Sequence, residues 1–515
     1  MRVLSRYEFV GPHPPFLKSR ALQKSAICFS GLLSVLCFPS FNHGQLAWGT
    51  FVPLLLAVPG LRFRAVLKWT FLAGWLGGLG ILYWIYPTCR WGGVHPAVAL
   101  LAVGGLAAHW AFFWALFGGG VKVFSVRPRW EQPFWAAAIW TVCEWLRGNL
   151  FSGFPWLTLS CSQWQVPKHL PIAEIGGAYA VSFMIILFNG CAAVAVQGFF
   201  SRSRRWAFVP SLVALGGIVA GSVFLWRRPL PAAGAPVDMA LIQGNIDQYK
   251  KWDAAYEEEI VQSYSGLTRE AGRPHPLLTV WPETAVPGWV PNEQRQTAWV
   301  QSLARENRTF LLAGAVSRQD NRDYNAAFLF SPGGEIIGHY EKNHLVPFGE
   351  YVPLRGLLAP FVSVLNDLGS FDSGREARVL SVPGARLGVN ICFEGLFPKI
   401  VRQFTQNGAE ILINITNDGW YRATAAPEQH FAASVLRAVE NRRWVVRAAN
   451  TGYSGFISPR GEVIGRTPLL EPAVLLGRPE PLAIRTFYSK FGDLFVYLCA
   501  VMILGGFGLE FFKKK

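Results

Sequence analysis

Long uncharged apolar runs dominate the first 228 residues, and they restrict what this chain can fold into. Seven are present, at about 25–41, 46–61, 66–86, 97–120, 133–146, 172–199 and 206–226, and an eighth at about 491–511 closes the chain. Each is near the roughly 20 residues a helix needs to cross a hydrocarbon layer. Inside a bilayer, backbone N–H and C=O groups must be bonded within the protein, so such runs are expected to be helices. The second and fifth are short for a span, and Glu144 near the end of the fifth is unusual for lipid-facing sequence. With 51% hydrophobic residues, 21 Trp and a mean hydropathy of +0.26, the chain is too apolar for an ordinary soluble enzyme. The first run follows a basic tail, as a secretory signal would. Six further runs follow it without a small-x-small cleavage site, so an uncleaved anchor is expected.

Charge gives the orientation. Segments that share one side carry Arg2, Arg6, Lys18, Arg20 and Lys24; Arg62, Arg64 and Lys68; Lys122, Arg127 and Arg129; Arg202, Arg204 and Arg205; and Lys513 to Lys515. The opposite loops carry Arg90, Arg147, Lys168, Arg227 and Arg228. That is 17 basic residues against 5, so the positive-inside rule puts both termini in the cytoplasm and the large polar region outside it. The net charge of +16 is then mostly a topology signal and asks for no nucleic-acid partner. The expected divisions are a transmembrane domain over 1–228, an extracytoplasmic domain over 229–488, and a C-terminal helix with a basic tail over 489–515.

The polar region alternates strand-like and helix-like segments. Strands are expected at Val237–Gln243, Leu277–Trp281, Phe310–Ala315, Ala326–Phe330, Glu335–Tyr340, Arg386–Cys392, Ile411–Asn414, Val445–Ala449 and Gly455–Ser458. Helices are expected at Asp253–Arg269, Gln294–Glu306 and His430–Arg442, where apolar residues recur at helical spacing. Ser331-Pro332-Gly333-Gly334 and Ser458-Pro459-Arg460-Gly461 read as hairpin turns followed by short apolar strands. About 250 residues suffice for a substantial α/β core.

Cys392 is the only cysteine between about residues 230 and 490; the other seven lie in or beside the apolar runs. A lone thiol is too few for a metal site, which leaves a buried structural residue or a nucleophile. Three contexts bear on that choice: Trp281-Pro282-Glu283-Thr284, Tyr340-Glu341-Lys342-Asn343-His344 leading to Pro347-Phe348-Gly349-Glu350-Tyr351, and Cys392-Phe393-Glu394 followed by Asn417-Asp418-Gly419-Trp420. Taken singly, Glu283 is a turn residue, Lys342 a solvated one, and His344 a satisfied loop histidine. The order Glu, Lys, Cys, each beside a strand end, favours a site, because strand ends hold side chains rigidly against a crevice.

That order resembles the nitrilase (carbon–nitrogen hydrolase) superfamily, and the membrane frame around it is similar to the apolipoprotein N-acyltransferase family. The most specific matching stretches are Leu345 to Pro353 and Gln243-Gly244-Asn245-Ile246 with Lys251-Trp252. The resemblance implies a polytopic α-helical membrane domain plus an αββα sandwich in a bacterial inner membrane, with the catalytic domain periplasmic. It implies a phospholipid acyl donor, a diacylglyceryl apolipoprotein acceptor, no cofactor and a monomer. Family members often have Tyr directly after the catalytic Cys; Phe393 here keeps the aromatic surface and loses the hydroxyl.

The residues support acyl transfer through a thioester, which splits one hard step into two. Cys392 is the expected nucleophile, Glu283 the general base, and Lys342 the group that stabilises the oxyanion. Free Glu and Cys side chains differ by roughly four pKa units, or about 6 kcal/mol against proton transfer. Desolvation of Glu283 and the Lys342 charge beside the thiolate are expected to narrow that gap in a crevice of limited water access. Glu350 is expected to orient Lys342, and Glu394 to support the site near the thiol. Trp252, Phe393, Asn417 and Trp420 are expected to bind or gate substrate, and the apolar stretch Leu354–Phe371 to dip into the outer leaflet. Two other functions fit parts of the pattern: a membrane-tethered amidase in which water resolves the thioester, and a transporter with an inert outer domain.

Overall fold

The computed structural model describes residues 17–201, 206–248, 250–251, 253–352 and 371–512. Its chain falls into two compact units, divided between Arg228 and Pro229 and between Lys490 and Phe491.

In the apolar unit, helices Arg20–Leu36, Phe63–Ile81, Pro96–Phe124, Gln132–Asn149, Ala173–Ser201, Val209–Arg227 and Leu494–Phe512 stand on seven of the eight apolar runs. The run at 46–61 breaks into Ala47–Thr50 and Val52–Ala57 between two 3-10 turns. Pro53 and Pro59 lack the N–H that a continuous helix would need there. Among the described residues, Pro96–Phe124, Ala173–Phe200 and Val209–Arg227 are long and apolar enough to span a membrane. Phe63–Ile81 with Ile85–Trp91 makes a fourth if that pair, bent by 48°, is one span. Close helix packing rests on small residues: a Cβ on Gly31 would meet the Ala73 carbonyl at 2.1 Å. Glu144, unexpected on a lipid face, is buried and accepts from the Leu159 N–H at 2.6 Å. Beside it, Arg147 donates to the Trp156 and Leu157 carbonyls and lies over the Trp110 ring at 3.7 Å.

The polar unit holds twelve described strands in two six-stranded sheets. The first has the order β12-β1-β2-β3-β4-β5, from Ala473–Gly477 (β12), Met239–Gln243 (β1), Leu278–Val280 (β2), Phe310–Gln319 (β3), Arg322–Phe330 (β4) and Ile336–Glu341 (β5). The second has the order β11-β10-β9-β8-β7-β6, from Val463–Arg466 (β11), Gly455–Ile457 (β10), Trp444–Ala449 (β9), Ile411–Thr416 (β8), Ala385–Ile391 (β7) and Val379–Val382 (β6). In each sheet three central strands run parallel, β1-β2-β3 and β7-β8-β9. Their cores are almost wholly buried, as sheets covered on both faces require. The sheets meet through β1 against β9 and β4 against β7. Helices Glu257–Gly272 (α1) and Gln294–Asn307 (α2) pack on the first sheet through Ile260, Tyr264, Val300 and Leu303. Helices Pro398–Gln406 (α3) and Ala426–Asn441 (α4) pack against β7 and β9.

This is the expected αββα sandwich. The β3–β4 hairpin runs past its expected ends to a turn at Asp320-Asn321, both at positive φ, a conformation that suits the twist of a two-residue hairpin. Strands β6 and β12 and helix α3 were not legible as elements. The first is a four-residue edge strand, and α3 is only nine residues long.

Candidate active site

Glu283 lies in the turn after β2, and that turn is fixed from below. Trp281 is fully buried, donates from its indole to Thr268 Oγ1 at 3.0 Å, and packs between the tilted rings of Tyr264 and Trp299. On the adjacent strand only a glycine fits: a Cβ on Gly314 would stand 2.3 Å from the Pro282 carbonyl. The Glu283 carboxylate, in a residue 5% exposed, accepts from Asn325 Nδ2 at 2.7 Å and Lys342 Nζ at 3.2 Å on one oxygen, and from the Asn417 N–H at 2.8 Å on the other. Nitrogen donors on both oxygens select the acceptor-only, ionised form.

Lys342 follows β5 directly and is 1% exposed. Its N–H bonds the Asn325 carbonyl at 2.8 Å, so strand pairing sets where its side chain starts. The ammonium donates to Glu350 at 2.8 Å as well as to Glu283. Burial works against its charge, but Glu283, Glu350 and Cys392 outweigh burial and hold its pKa well above the usual lysine range. Glu350 is pinned in turn by the Val346 N–H at 2.8 Å and Asn325 Nδ2 at 2.9 Å. Asn325 and Lys342 thus bridge the same two carboxylate oxygens, and two negative groups share one cavity without open repulsion.

Cys392 is the first residue of the 3-10 turn Cys392–Leu396 at the end of β7. Its φ of +52° lies in the left-handed region, unusual for a residue with a side chain. The residue is 8% exposed. Burial pushes the thiol up to about 12; Glu283 and Asp418 raise it further, while Lys342 and a Thr416 hydrogen bond pull it down. The expected lowering of the thiol by the Lys342 charge is therefore outweighed. Lys342 acts in the expected direction, and desolvation of the thiol wins. At rest the nucleophile is a neutral thiol.

Glu394 has a definite place. Fully buried, it accepts from Tyr340 Oη at 2.8 Å, the Asn343 N–H at 2.7 Å, the His344 N–H at 3.1 Å and the Ile391 N–H at 2.7 Å. It therefore ties the loop after Lys342 to the strand end before Cys392. Phe393 is buried, with its ring against Phe397 at 5.1 Å and His344 at 6.0 Å. Asn417 is buried and hydrogen-bonds Gln248 and Asn450 through its side chain. Trp420, at the end of the 3-10 turn Asp418–Trp420 that Asn417 caps, is 45% exposed. Trp252 and Leu354 to Ser370 lie outside the described residues.

Several buried polar groups here were given no role from sequence. Asn325 lay just before the expected strand Ala326–Phe330 and falls inside β4. Lys251 donates to the Glu283 carbonyl at 2.9 Å, and burial pushes its pKa down to about 7. Asp418, His430 and Arg447 form a buried chain behind Cys392. The signal available for the last group was an Arg in the apolar run of β9 and a His on the apolar side of α4.

A sandwich with a buried Glu–Lys–Cys set at its strand ends belongs to the carbon–nitrogen hydrolase class, and residues 238–478 match the carbon-nitrogen hydrolase family. Residues 30–191 match the apolipoprotein N-acyltransferase N-terminal domain. An apolipoprotein N-acyltransferase of Geobacter metallireducens is 38% identical, with 94% of this chain and 95% of the relative covered. One from Nitrosomonas europaea is 34% identical, covering 84% of this chain and 87% of the relative. Among solved structures, a cysteine-to-alanine mutant of a Nesterenkonia AN1 amidase from the nitrilase superfamily covers 52% of this chain and 98% of its own, at 19% identity and a TM-score of 0.40. The chain belongs to the apolipoprotein N-acyltransferase family: it is an acyltransferase and a membrane protein.

Proposed function

We propose that the protein moves a fatty acyl chain from a membrane phospholipid onto Cys392 and from there to the N-terminal α-amino group of a diacylglyceryl apolipoprotein. The observation that carries this reading is the Lys342 ammonium, 3.2 Å from the Glu283 carboxylate and within electrostatic reach of the buried Cys392 thiol. As Sγ attacks the ester carbonyl, Glu283 takes the thiol proton, and Lys342 faces the oxygen that gains negative charge. Collapse breaks the ester C–O bond, and Glu283 returns the proton to the departing lysophospholipid oxygen. The acceptor amine then attacks the thioester, Glu283 takes its proton, and collapse gives an amide and the restored thiol. Because the resting thiol is neutral, its proton leaves as the C–S bond forms rather than beforehand.

Glu350 keeps Lys342 charged and aimed, and Glu394 sets the loop carrying Lys342 against the turn carrying Cys392. Asn417 fixes the second Glu283 oxygen through its backbone. Trp420, exposed beside this turn, and Trp252 are assigned to substrate contact, and Phe393 to the wall behind the thiol. The basic-residue asymmetry supports eight membrane passages, cytoplasmic termini and a periplasmic catalytic domain. We assign the working form as a monomer.

The test is intact-mass analysis of the full chain incubated with phospholipid and no amine. A thioester-linked acyl adduct is expected, discharged by a diacylated lipopeptide faster than by water. An adduct that persists in Cys392→Ala, or discharge by water alone, would overturn the reading. A membrane-impermeant thiol reagent applied to spheroplasts should reach single cysteines placed in exposed loops of 229–488 and miss those placed at 202–205.

A further inference from the structure

A buried polar row crosses three strands behind the nucleophile. Strand register sets Asn390 on β7 beside Asn414 on β8, and Asn414 beside Arg447 on β9. All three are 2% exposed or less. Arg447 reaches two groups from this row: it donates to Asn414 Oδ1, and to Asp418 Oδ2 at 3.0 Å. Each of those leads to one atom, the main-chain oxygen of Cys392. Asn414 Nδ2 lies 3.2 Å from it, and so does His430 Nε2, while His430 Nδ1 lies 2.9 Å from Asp418 Oδ1.

His430 joins the two branches, one ring nitrogen facing each. Asp418 is ionised: burial works against its charge, but Arg447 and His430 outweigh that and hold its carboxyl below the usual range. Burial, and after it the Arg447 charge, lower the His430 pKa below the usual imidazole range, against Asp418 and the Cys392 carbonyl. The carbonyl and the carboxylate both only accept, so the ring donates to the one its proton faces and packs against the other.

The linked atom matters because Cys392 sits at φ +52°. A non-glycine residue there costs roughly 1–2 kcal/mol relative to the right-handed region, so the turn persists only where its surroundings hold it.

We infer that His430 is a positioning residue of the acyl-transfer reaction: its ring, set between the Cys392 carbonyl and the Asp418–Arg447 pair, holds the nucleophile in its left-handed turn beside Glu283 and Lys342. This rests on Cys392 being the acyl carrier.

The experiment uses the full chain in detergent or nanodiscs, with His430→Gln, which keeps one donor nitrogen, and His430→Phe, which keeps none. Iodoacetamide alkylation of Cys392, read by peptide mass, reports presentation of the thiol without any lipid. Single-turnover acylation by phospholipid reports the chemistry. Both rates should fall about a hundred-fold in His430→Phe and about ten-fold in His430→Gln, the size of loss that displacing a reacting group by about 1 Å produces, with the phospholipid KM unchanged. Folded variants with wild-type rates, or losses confined to KM, would overturn the proposal. Should neither variant fold, 15N spectra of histidine-labelled wild-type protein decide it: a His430 ring nitrogen held in a hydrogen bond supports it, and a ring with both nitrogens free of hydrogen bonds sinks it. Cys392→Ala runs alongside. If it still forms the acyl adduct, the acyl-carrier reading fails; if it is dead while the His430 variants match wild type, the positioning role alone fails.

Discussion

Lys251 Nζ donates to the main-chain oxygen of Glu283 at 2.9 Å, from a side chain 2% exposed. A second lysine amine therefore stands behind the general base, and burial pushes its pKa from 10.5 down to about 7. Across that window the unfolded chain holds a proton that the folded protein lacks, so the Lys251 contribution makes stability rise with pH. Thermal melts taken across about pH 7 to 9 should lose that part of the slope in Lys251→Met. Equal slopes in the two proteins would remove Lys251 as its source.

Lys342→Met should reduce single-turnover acylation by about 10²–10³-fold, the cost of losing one group that stabilises an oxyanion. The same change leaves the buried Glu283 and half-buried Glu350 carboxylates bridged by Asn325 alone, so a lower melting temperature should accompany the loss. Glu350→Gln keeps an oxygen for the Val346 N–H and loses the charge opposite Lys342. It should cost about ten- to a hundred-fold in acylation. Wild-type acylation in Lys342→Met would end its assignment to the oxyanion.

Glu394 yields a pH dependence with opposite signs for stability and activity. Burial pushes its carboxyl from 4.5 up to about 7, against its hydrogen bonds and the Lys342 charge. Between those values the folded state binds the extra proton, so its contribution to stability is largest at low pH and is lost as pH rises through about 7. The ionised form is the one that accepts from Asn343, His344 and Ile391, so activity should instead fall as pH drops through about 7. Glu394→Gln should flatten this acidic limb and lower the plateau. A limb unchanged in the variant would assign it to another group.

Alkylation of resting Cys392 by iodoacetamide should climb with pH and show no plateau near neutrality, because burial pushes the thiol up to about 12. A plateau at neutral pH would mean a preformed thiolate and would reverse the order of proton transfer and attack given above.

Much of the architecture was legible because it rests on local patterns. Strands β1, β3, β7, β8 and β9 are short apolar runs bounded by turns, and α4 shows its helical period directly. Glu283, Lys342 and Cys392 were legible because each stands just past such a run, in a distinctive neighbourhood. Strand β6 was missed because four residues at a sheet edge carry little pattern. The site's inner supports were missed for another reason: Asn325, His430 and Arg447 are ordinary residues of their own strand or helix.

What the sequence determined alone is the membrane character of the first 228 residues, the α/β class of the polar region, and the order of the three reactive side chains. These follow from hydrophobic runs and strand-end positions, which are properties of contiguous chain. The tertiary structure decided which groups surround those side chains. Pairing of Ala326 with Glu341 brings Asn325 next to Lys342, and pairing of Asn414 with Arg447 sets the row behind Cys392. A shift of one residue in either register would turn those side chains to the opposite face. Burial was decided there too, and it makes Cys392 a neutral thiol despite the lysine charge beside it.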